Sequence, residues 1–441
     1  MTKARLDGLH LLVLGSIFFV SVGVLMELTN PLRMSDFGEI YWGSRCVAKQ
    51  HDPYRIDEMM AVYRADTGSL PSDSGIVSRK LRKILFLSDN LPTTLFLVAP
   101  LAALPWKLAV PVWMLLITAC FILACVRIWS VGAEFSPRIS GGLLFLLLVN
   151  SGLLLSTGNV AGLVVSLSAI AVCCFLDDQY GLIGILCLAI ALLMKPHDAG
   201  PIWLYFLLAG GTQRKRALQT LVPTAAIILL TILWISHAAP HWLPELQSNV
   251  DQELASGGLS NPGPTTQGAR GVGQMINLQA ALGLIWRSAR LYNLVSYILC
   301  GALLVLWCVK TLRGGCSPRL AWLALAGISA LTMLPLYHRT YDARLLVLAI
   351  PACAMLWSER AALGRWALAL TIAAIVLTGD LFWISLFQIT HYSGASVAMG
   401  MIPAPTILLG FAVFYVWIYL RSPSKADQLR AKLMPQLKAD G

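Results

Sequence analysis

Charge is what this sequence has least of. Only 12% of its 441 residues are Asp, Glu, Lys or Arg, against roughly 25% in soluble domains. That shortage excludes the set of water-soluble domains that the length alone would suggest. Alternation is missing as well. The apolar runs are long and continuous, which excludes a strand-built membrane barrel. There is no Walker loop, no GxGxxG after a strand, no HExxH and no GxSxG, so phosphate-cradling loops and the commoner hydrolase constellations have no footing. The ten cysteines include no CxxC, and most fall within apolar runs as small hydrophobes. Cys46 alone lies in a long polar stretch. The ligand spacing of a structural zinc site is also lacking.

What is present is apolar: 57% of residues are hydrophobic and the mean hydropathy is +0.71. The chain reads as an all-α, polytopic membrane bundle of about 12–13 segments, each needing about twenty apolar residues to cross. Lys3 and Arg5 precede the first apolar run, which ends at Met26-Glu27-Leu28-Thr29-Asn30-Pro31 without a small-residue cleavage site. It reads as a retained first transmembrane helix with its amino terminus in the cytoplasm. Further apolar segments lie near residues 91–104, 107–128, 139–155, 159–176, 179–194, 198–210, 220–236, 292–312, 318–336, 345–357, 366–388 and 402–420. Two long polar loops interrupt them, 29–90 and 237–291. The second has a Gly/Pro/Ser/Thr-rich centre, 256–273, and an amphipathic stretch, 275–290, expected to lie along the membrane surface.

Lys and Arg in short loops set orientation. Clusters at Arg214-Lys215-Arg216, at Lys310, Arg313 and Arg319, at Arg360 and Arg365, and in the basic tail 422–441 mark the cytoplasm. The long loops then face outward, and residues 1–421 form one integral membrane domain. Thirteen apolar segments with both termini inside require one that does not cross alone. A pair of half-helices, 139–155 and 159–176, broken at Ser156-Thr157-Gly158-Asn159, is the expected solution, ahead of a re-entrant 91–104. The net charge of +11 fits cytoplasmic loops and contact with anionic membrane lipid. No basic–aromatic patch argues for nucleic acid.

The polar chemistry gathers on the outward side of this topology. His51, His197, His237, His241, His338 and His391 fall there, and only His10 does not. Ionisable groups at membrane depth are candidate functional groups. Asp36, just after the first helix, is placed to accept a proton from a hydroxyl, or to pair with Arg33. Lys195, His197, Arg339 and Arg344 sit in two outward turns and offer a phosphate clamp, or snorkel singly to headgroups. His51-Asp52-Pro53-Tyr54 starts as a turn. Tyr41, Asp52, Tyr54, Asn159, His338 and Tyr341 complete the candidate contacts to substrate.

Asp36, Tyr41 and then Asp52-Pro53-Tyr54 resemble the opening motif of the membrane glycosyltransferase family 87. Pro92 to Trp106 is similar to its proline-led second segment. Gly158-Asn159 stands where the family often has Gly-Gln, Lys195-Pro196 matches a recurring Lys-Pro, and Tyr341 to Pro351 resembles its late Tyr-led helix. The resemblance spans about residues 10–360, with Gln50-His51 in place of the usual Gly. It implies a GT-C fold with the active site at the extracytoplasmic face. It also implies a polyprenyl-phosphate donor carrying a mannose- or arabinofuranose-like sugar, and a lipid or glycan acceptor in the cell envelope. By analogy Asp36 is the base of an inverting transfer that needs no cofactor and no metal, and the loop 237–291 covers the site. A flippase of lipid-linked sugars, a non-catalytic assembly subunit and an oligosaccharide ligase are the competing readings. Oligomeric state is not legible.

Overall fold

The computed structural model describes residues 2–423 apart from 73, 256, 257, 259, 263–274, 316, 360 and 391–400. The Gly/Pro/Ser/Thr-rich centre of the second polar stretch, most of the basic tail, and His391 therefore lie largely or wholly outside the described residues. In chain order the helices are α1 (Lys3–Thr29), α2 (Ser35–Ala48), α3 (Ile56–Thr67), α4 (Ile76–Phe86), α5 (Pro92–Ala102), α6 (Trp106–Phe135), α7 (Pro137–Val149), α8 (Gly152–Ser156), α9 (Ala161–Leu176), α10 (Gly181–Met194), α11 (Pro196–Ala209) and α12 (Gly211–Ala238). There follow α13 (Trp242–Leu254), α14 (Leu278–Ile285), α15 (Ala289–Gly314) and α16 (Pro318–Leu331). A 3-10 segment, Thr340–Ala349, runs into α17 (Ile350–Glu359), and α18 (Ala361–Leu377), α19 (Asp380–Thr390) and α20 (Pro403–Arg421) complete the bundle. The described residues hold no strand, only an isolated bridge between Met275 and Arg339.

Among the described residues six helices are long and apolar enough to span a bilayer, or seven if the pair α18 and α19, bent by 56° at its break, counts as one span. They carry large apolar side chains on their outer surfaces, such as Leu115, Val222, Leu233 and Val305, as lipid-facing helices must. The shorter apolar helices pack between them. The stretch Thr340–Glu359 is the most enclosed of the spans, with 89% of its apolar window buried.

The direction of each pass follows from its contacts. Gly8 lies against Pro137, Gly15 against Phe145 and Gly23 against Leu155, so α1 and α7 run parallel with numbers rising together. Glycines at this seam let the backbones meet closely. The helix between them, α6, runs the other way. Its start touches the α8–α9 break through Trp113 Nε1–H, which donates to Gly158 O at 2.8 Å. Near its end Arg127 pairs with Asp177 after α9, at 2.8 Å. Asp7 with Arg138, and Lys310 with the carbonyl of Ser422, likewise sit together at the end of the bundle away from α2. Both ends of the described chain thus lie at one face.

Two expectations are corrected here. Residues 137–156 and 161–176 run antiparallel, side by side, and not in line as one broken span: Arg138 and Asp177 lie at one face, Ser156 and Asn159 at the other. The shortest of the apolar helices that fall below the length of a span is α5. Thr94 Oγ1–H at its start donates to Met194 O at the end of α10 (3.1 Å), and Ala102 O at its end accepts from Arg45 of α2 (2.6 Å). Both ends therefore sit at the same face. Eleven residues span about 16 Å, too little for a bilayer, and the gaps at Leu91 and Leu104-Pro105 turn the chain at the same level.

The first long polar stretch is also not a loop. It forms α2, α3 and α4, because buried Phe37, Ile40, Tyr41, Ser44 and Val47 recur at helical spacing inside a polar composition. The stretch expected to lie along the membrane surface is only partly helical, as α14. It is tethered inward, Ile276 N–H to His338 O at 3.0 Å and Leu278 N–H to Leu334 O at 2.8 Å. At this face α10 ends and α9 and α11 begin, and α2, α4 and α13 cover the hollow between them.

Candidate active site

Three chain breaks converge under that cap. The first is the turn between α8 and α9. Gly158 adopts φ +68°, a conformation that favours glycine. A Cβ there would stand 2.7 Å from Phe37 Cβ. Asn159 follows; its Oδ1 accepts from Ala161 N–H at 2.8 Å, closing the first turn of α9, and its Nδ2–H donates to Asp36 Oδ2 at 2.6 Å. The α2 amino terminus is bonded to the same turn, Asp36 N–H and Phe37 N–H both donating to Thr157 O at 3.0 and 3.2 Å. Asp36 is therefore held at a helix start, where a carboxylate is favoured, by main chain and side chain together. Gly158→Ala is expected to cost about 1–3 kcal/mol through backbone strain and to separate Asp36 from Asn159. Loss of transfer activity in protein that still folds checks this.

The second break is Lys195-Pro196. Proline cannot continue α10 but suits the first turn of α11. Lys195 reaches across to Asp342, and its ammonium lies 3.2 Å from Asp198 Oδ2. Asp198 Oδ1 meets His338 Nε2 at 2.8 Å, while His338 Nδ1 faces Leu336 O at 3.2 Å. The third break precedes the 3-10 segment, where Asp342 Oδ2 accepts from Arg339 N–H at 2.9 Å. Lys195, Asp198, His338 and Asp342 form one buried network joining the second and third breaks.

Around these breaks lies a cavity of about 460 Å³. Its walls include Asp36 and Glu39 of α2, Asp89, Asn159, Lys195, His197, Glu253 of α13, Tyr337, Arg339 and Tyr341, with apolar Ile40, Ile84, Leu87, Met194 and Val250. Tyr341 lies under the Lys195 ammonium and Tyr337 under the Arg339 guanidinium, each at 5.5 Å, ordinary cation–π range. Glu39 Oε1 accepts from Asp89 N–H at 3.1 Å and Asn90 Nδ2–H at 2.5 Å. Burial, and then the neighbouring Glu253 carboxylate, push the Asp89 carboxyl up to about 6. Burial and Asp89 raise Glu39 as well.

Of the residues singled out in the sequence, Asp36, Asn159, Lys195, His197, Arg339 and Tyr341 thus line one cavity. The others do not. Tyr41 O–H donates to Leu104 O at 2.7 Å inside a cluster with Trp42 and Trp106. Asp52 caps its own turn, accepting from Tyr54 N–H at 2.9 Å, and Tyr54 O–H donates to Asn90 O at 2.8 Å. His338 stands behind His197, ring to ring at 5.0 Å. Arg344 is fully buried and faces Asp380 at 3.3 Å and the carbonyls of Thr340 and Thr378. The expected clamp of four cations is therefore not assembled. Tyr41→Phe is expected to lower stability by about 1 kcal/mol, one hydrogen bond, and to leave donor KM unchanged; thermal unfolding and donor titration check it.

Sequence reading missed Glu39, Asp89, Glu253 and Tyr337 in the cavity, and Asp198 and Asp342 behind it. Glu39 was findable only by reading 35–48 as a helix, which puts it one turn from Asp36. His197, Asp198 and His338 could hold a metal ion, their donor atoms lying within 4.8 Å of one another. His338 Nε2 already meets the first oxygen of Asp198, and the Lys195 ammonium stands 3.2 Å from the second as an ion pair without a hydrogen bond.

The fold and site define a polytopic all-α membrane protein with a charged cavity under one face. The model of glycosyltransferase family 87 matches residues 91–336, more than half of the 441-residue chain. The chain belongs to that family, and its class is glycosyl transfer. No curated protein and no solved structure matches it. Asn159, Lys195 and His197 fall inside the matched residues; Asp36 and Arg339 fall outside.

Proposed function

We propose that the protein transfers a mannose- or arabinofuranose-like sugar from a polyprenyl phosphate to a hydroxyl of a lipid or glycan acceptor, at the extracytoplasmic face. The observation that carries this reading is the pairing of Asp36, locked by Asn159, with Arg339 and Lys195 across one cavity. The resemblance at Lys195-Pro196 and the family membership support the donor class. Orientation rests on Lys and Arg: Arg214, Lys215, Arg216, Arg313 and Arg319 cluster away from the cavity, as cytoplasmic ends do.

In the proposed reaction the acceptor hydroxyl gives its proton to Asp36. Its oxygen bonds to the anomeric carbon as the bond from that carbon to the phosphate oxygen breaks. The electron pair leaves with polyprenyl phosphate, whose growing charge is stabilised by Arg339, with Lys195 behind it. One displacement inverts the anomeric centre. Val250, Glu253 and Ser260 form the wall contributed by the second polar stretch, and they keep water from competing with the acceptor. Analysis of the anomeric configuration of the product, made from a donor of known configuration, tests the scheme. Inversion is expected; retention would overturn it.

A further inference from the structure

The acidic walls of the cavity meet at one turn. Glu39 of α2, Asp89 between α4 and α5, and Glu253 of α13 all line the space. Two of these carboxylates are already engaged. Glu39 Oε1 accepts from Asp89 N–H at 3.1 Å and from Asn90 Nδ2–H at 2.5 Å, and Glu253 pairs with Lys83 at 3.2 Å. Asp89 is different. Among the described residues, no other residue hydrogen-bonds or pairs with its carboxylate, and its side chain is open to the cavity. The backbone beneath it is nevertheless fixed. Asn249 Nδ2–H of α13 donates to Ser88 O at 2.8 Å, Glu39 of α2 holds Asp89 N–H, and Tyr54 O–H of the Asp52 turn donates to Asn90 O at 2.8 Å. Three consecutive residues are thus anchored to three different elements, and the one side-chain group they leave without a protein partner is the Asp89 carboxylate.

Its surroundings select what completes it. Burial and Glu253 push Asp89 up to about 6, so at neutral pH it is ionised and accepts hydrogen bonds through both oxygens. Three neighbouring carboxylates oppose an anion, so the donor phosphate, drawn to Arg339, does not settle here. Asp36 and Glu39 are one turn apart on α2, with Cβ atoms about 5–6 Å from each other, and Glu39 bonds the main chain of Asp89. A group the size of a sugar ring that gives one proton to Asp36 therefore reaches Asp89 with its adjoining hydroxyls.

We propose that Asp89 sets acceptor specificity: it takes hydrogen bonds from hydroxyls of an uncharged polyol, such as a sugar ring, beside the hydroxyl that attacks. This rests on the transfer reading above, in which Asp36 receives the proton, and deepens it by naming the chemistry of the acceptor's reacting end.

The test uses the full-length protein in nanodiscs, free of sugar-based detergent, with a polyprenyl-phosphate sugar as donor and octyl α-mannoside as acceptor. Octyl mannoside 6-phosphate and octyl glucosaminide serve as comparisons, and hydrolysis of the donor without acceptor reports on the donor side alone. Wild type is expected to use the neutral glycoside in preference to both charged ones. Asp89→Asn keeps the shape and removes the charge, and is expected to raise the acceptor KM about tenfold to a hundredfold, the worth of a hydrogen bond to a charged group. Donor KM, donor hydrolysis and the thermal unfolding temperature are expected to stay at wild-type values, and Asp89→Glu is expected to recover part of the acceptor affinity. An unchanged acceptor KM in Asp89→Asn would overturn this proposal and leave the donor reading standing, as would transfer into a membrane lipid extract without transfer to octyl α-mannoside. Lost donor hydrolysis in Asp89→Asn would move the residue to the donor side and overturn it too. Preference for the glucosaminide would assign Asp89 to a cationic acceptor instead. No transfer from any lipid-phosphate donor to either acceptor would overturn both readings.

Discussion

Replacing Asp36 by asparagine is expected to lower turnover by about 10²–10⁴-fold, the range for removing a positioned general base. Asparagine keeps the size of the side chain and can still bond Asn159 after its amide turns, so the α2 start should hold. The loss then falls on kcat, with donor KM within a few fold of wild type. Asn159→Ala should have a smaller effect in the same direction. It leaves the carboxylate in place but removes the 2.6 Å contact that orients it. Equal kcat for Asp36→Asn and wild type would show that the proton goes elsewhere, and Glu39, one turn along the same helix, would become the group to test.

Arg344→Met is expected to act on stability, not on donor use. Arg344 and Asp380 are 0% and 2% exposed. Asp380 Oδ2 also accepts from Leu153 N–H at 2.7 Å, tying α19 to the α7–α8 pass. Removing the cation strands a carboxylate in the interior, which costs about 3–5 kcal/mol. Thermal unfolding in detergent should show a large downward shift or loss of soluble protein. The double variant Arg344→Met with Asp380→Asn removes both charges and should recover much of the loss, since replacing a whole buried pair is often neutral. A stable Arg344→Met protein with raised donor KM would instead place Arg344 in phosphate binding.

These two residues show where the sequence was readable. Asp36, Asn159, Lys195 and Arg339 were found because each stands at a chain break, and breaks between apolar runs are visible in composition. Arg344 was misplaced because proximity in sequence was taken as proximity in space. The segment after Arg339 is 3-10, with about three residues per turn. Asp342, three residues on, comes back beneath Arg339, while Arg344, five on, lies a third of a turn away and faces Asp380. Lys195 was read by its own charge alone. Its partner Asp342 is 147 residues away, and nothing local announces that pairing. Tyr41 and Tyr54 matched motif positions yet serve as struts of α2 and of the Asp52 turn. The short amphipathic helices escaped because their polar faces dominate their composition, and Glu39 escaped with them. The class of the fold was legible because long continuous apolar runs admit few other solutions.

The most direct test of the account is transfer by the purified protein offered a panel of labelled polyprenyl-phosphate sugars, with a membrane lipid extract as acceptor and nucleotide sugars as controls. The account predicts label moving from one lipid-phosphate donor into an acceptor, none from nucleotide sugars, and almost none with Asp36→Asn. Transfer from a nucleotide sugar, or undiminished transfer by Asp36→Asn, would contradict it.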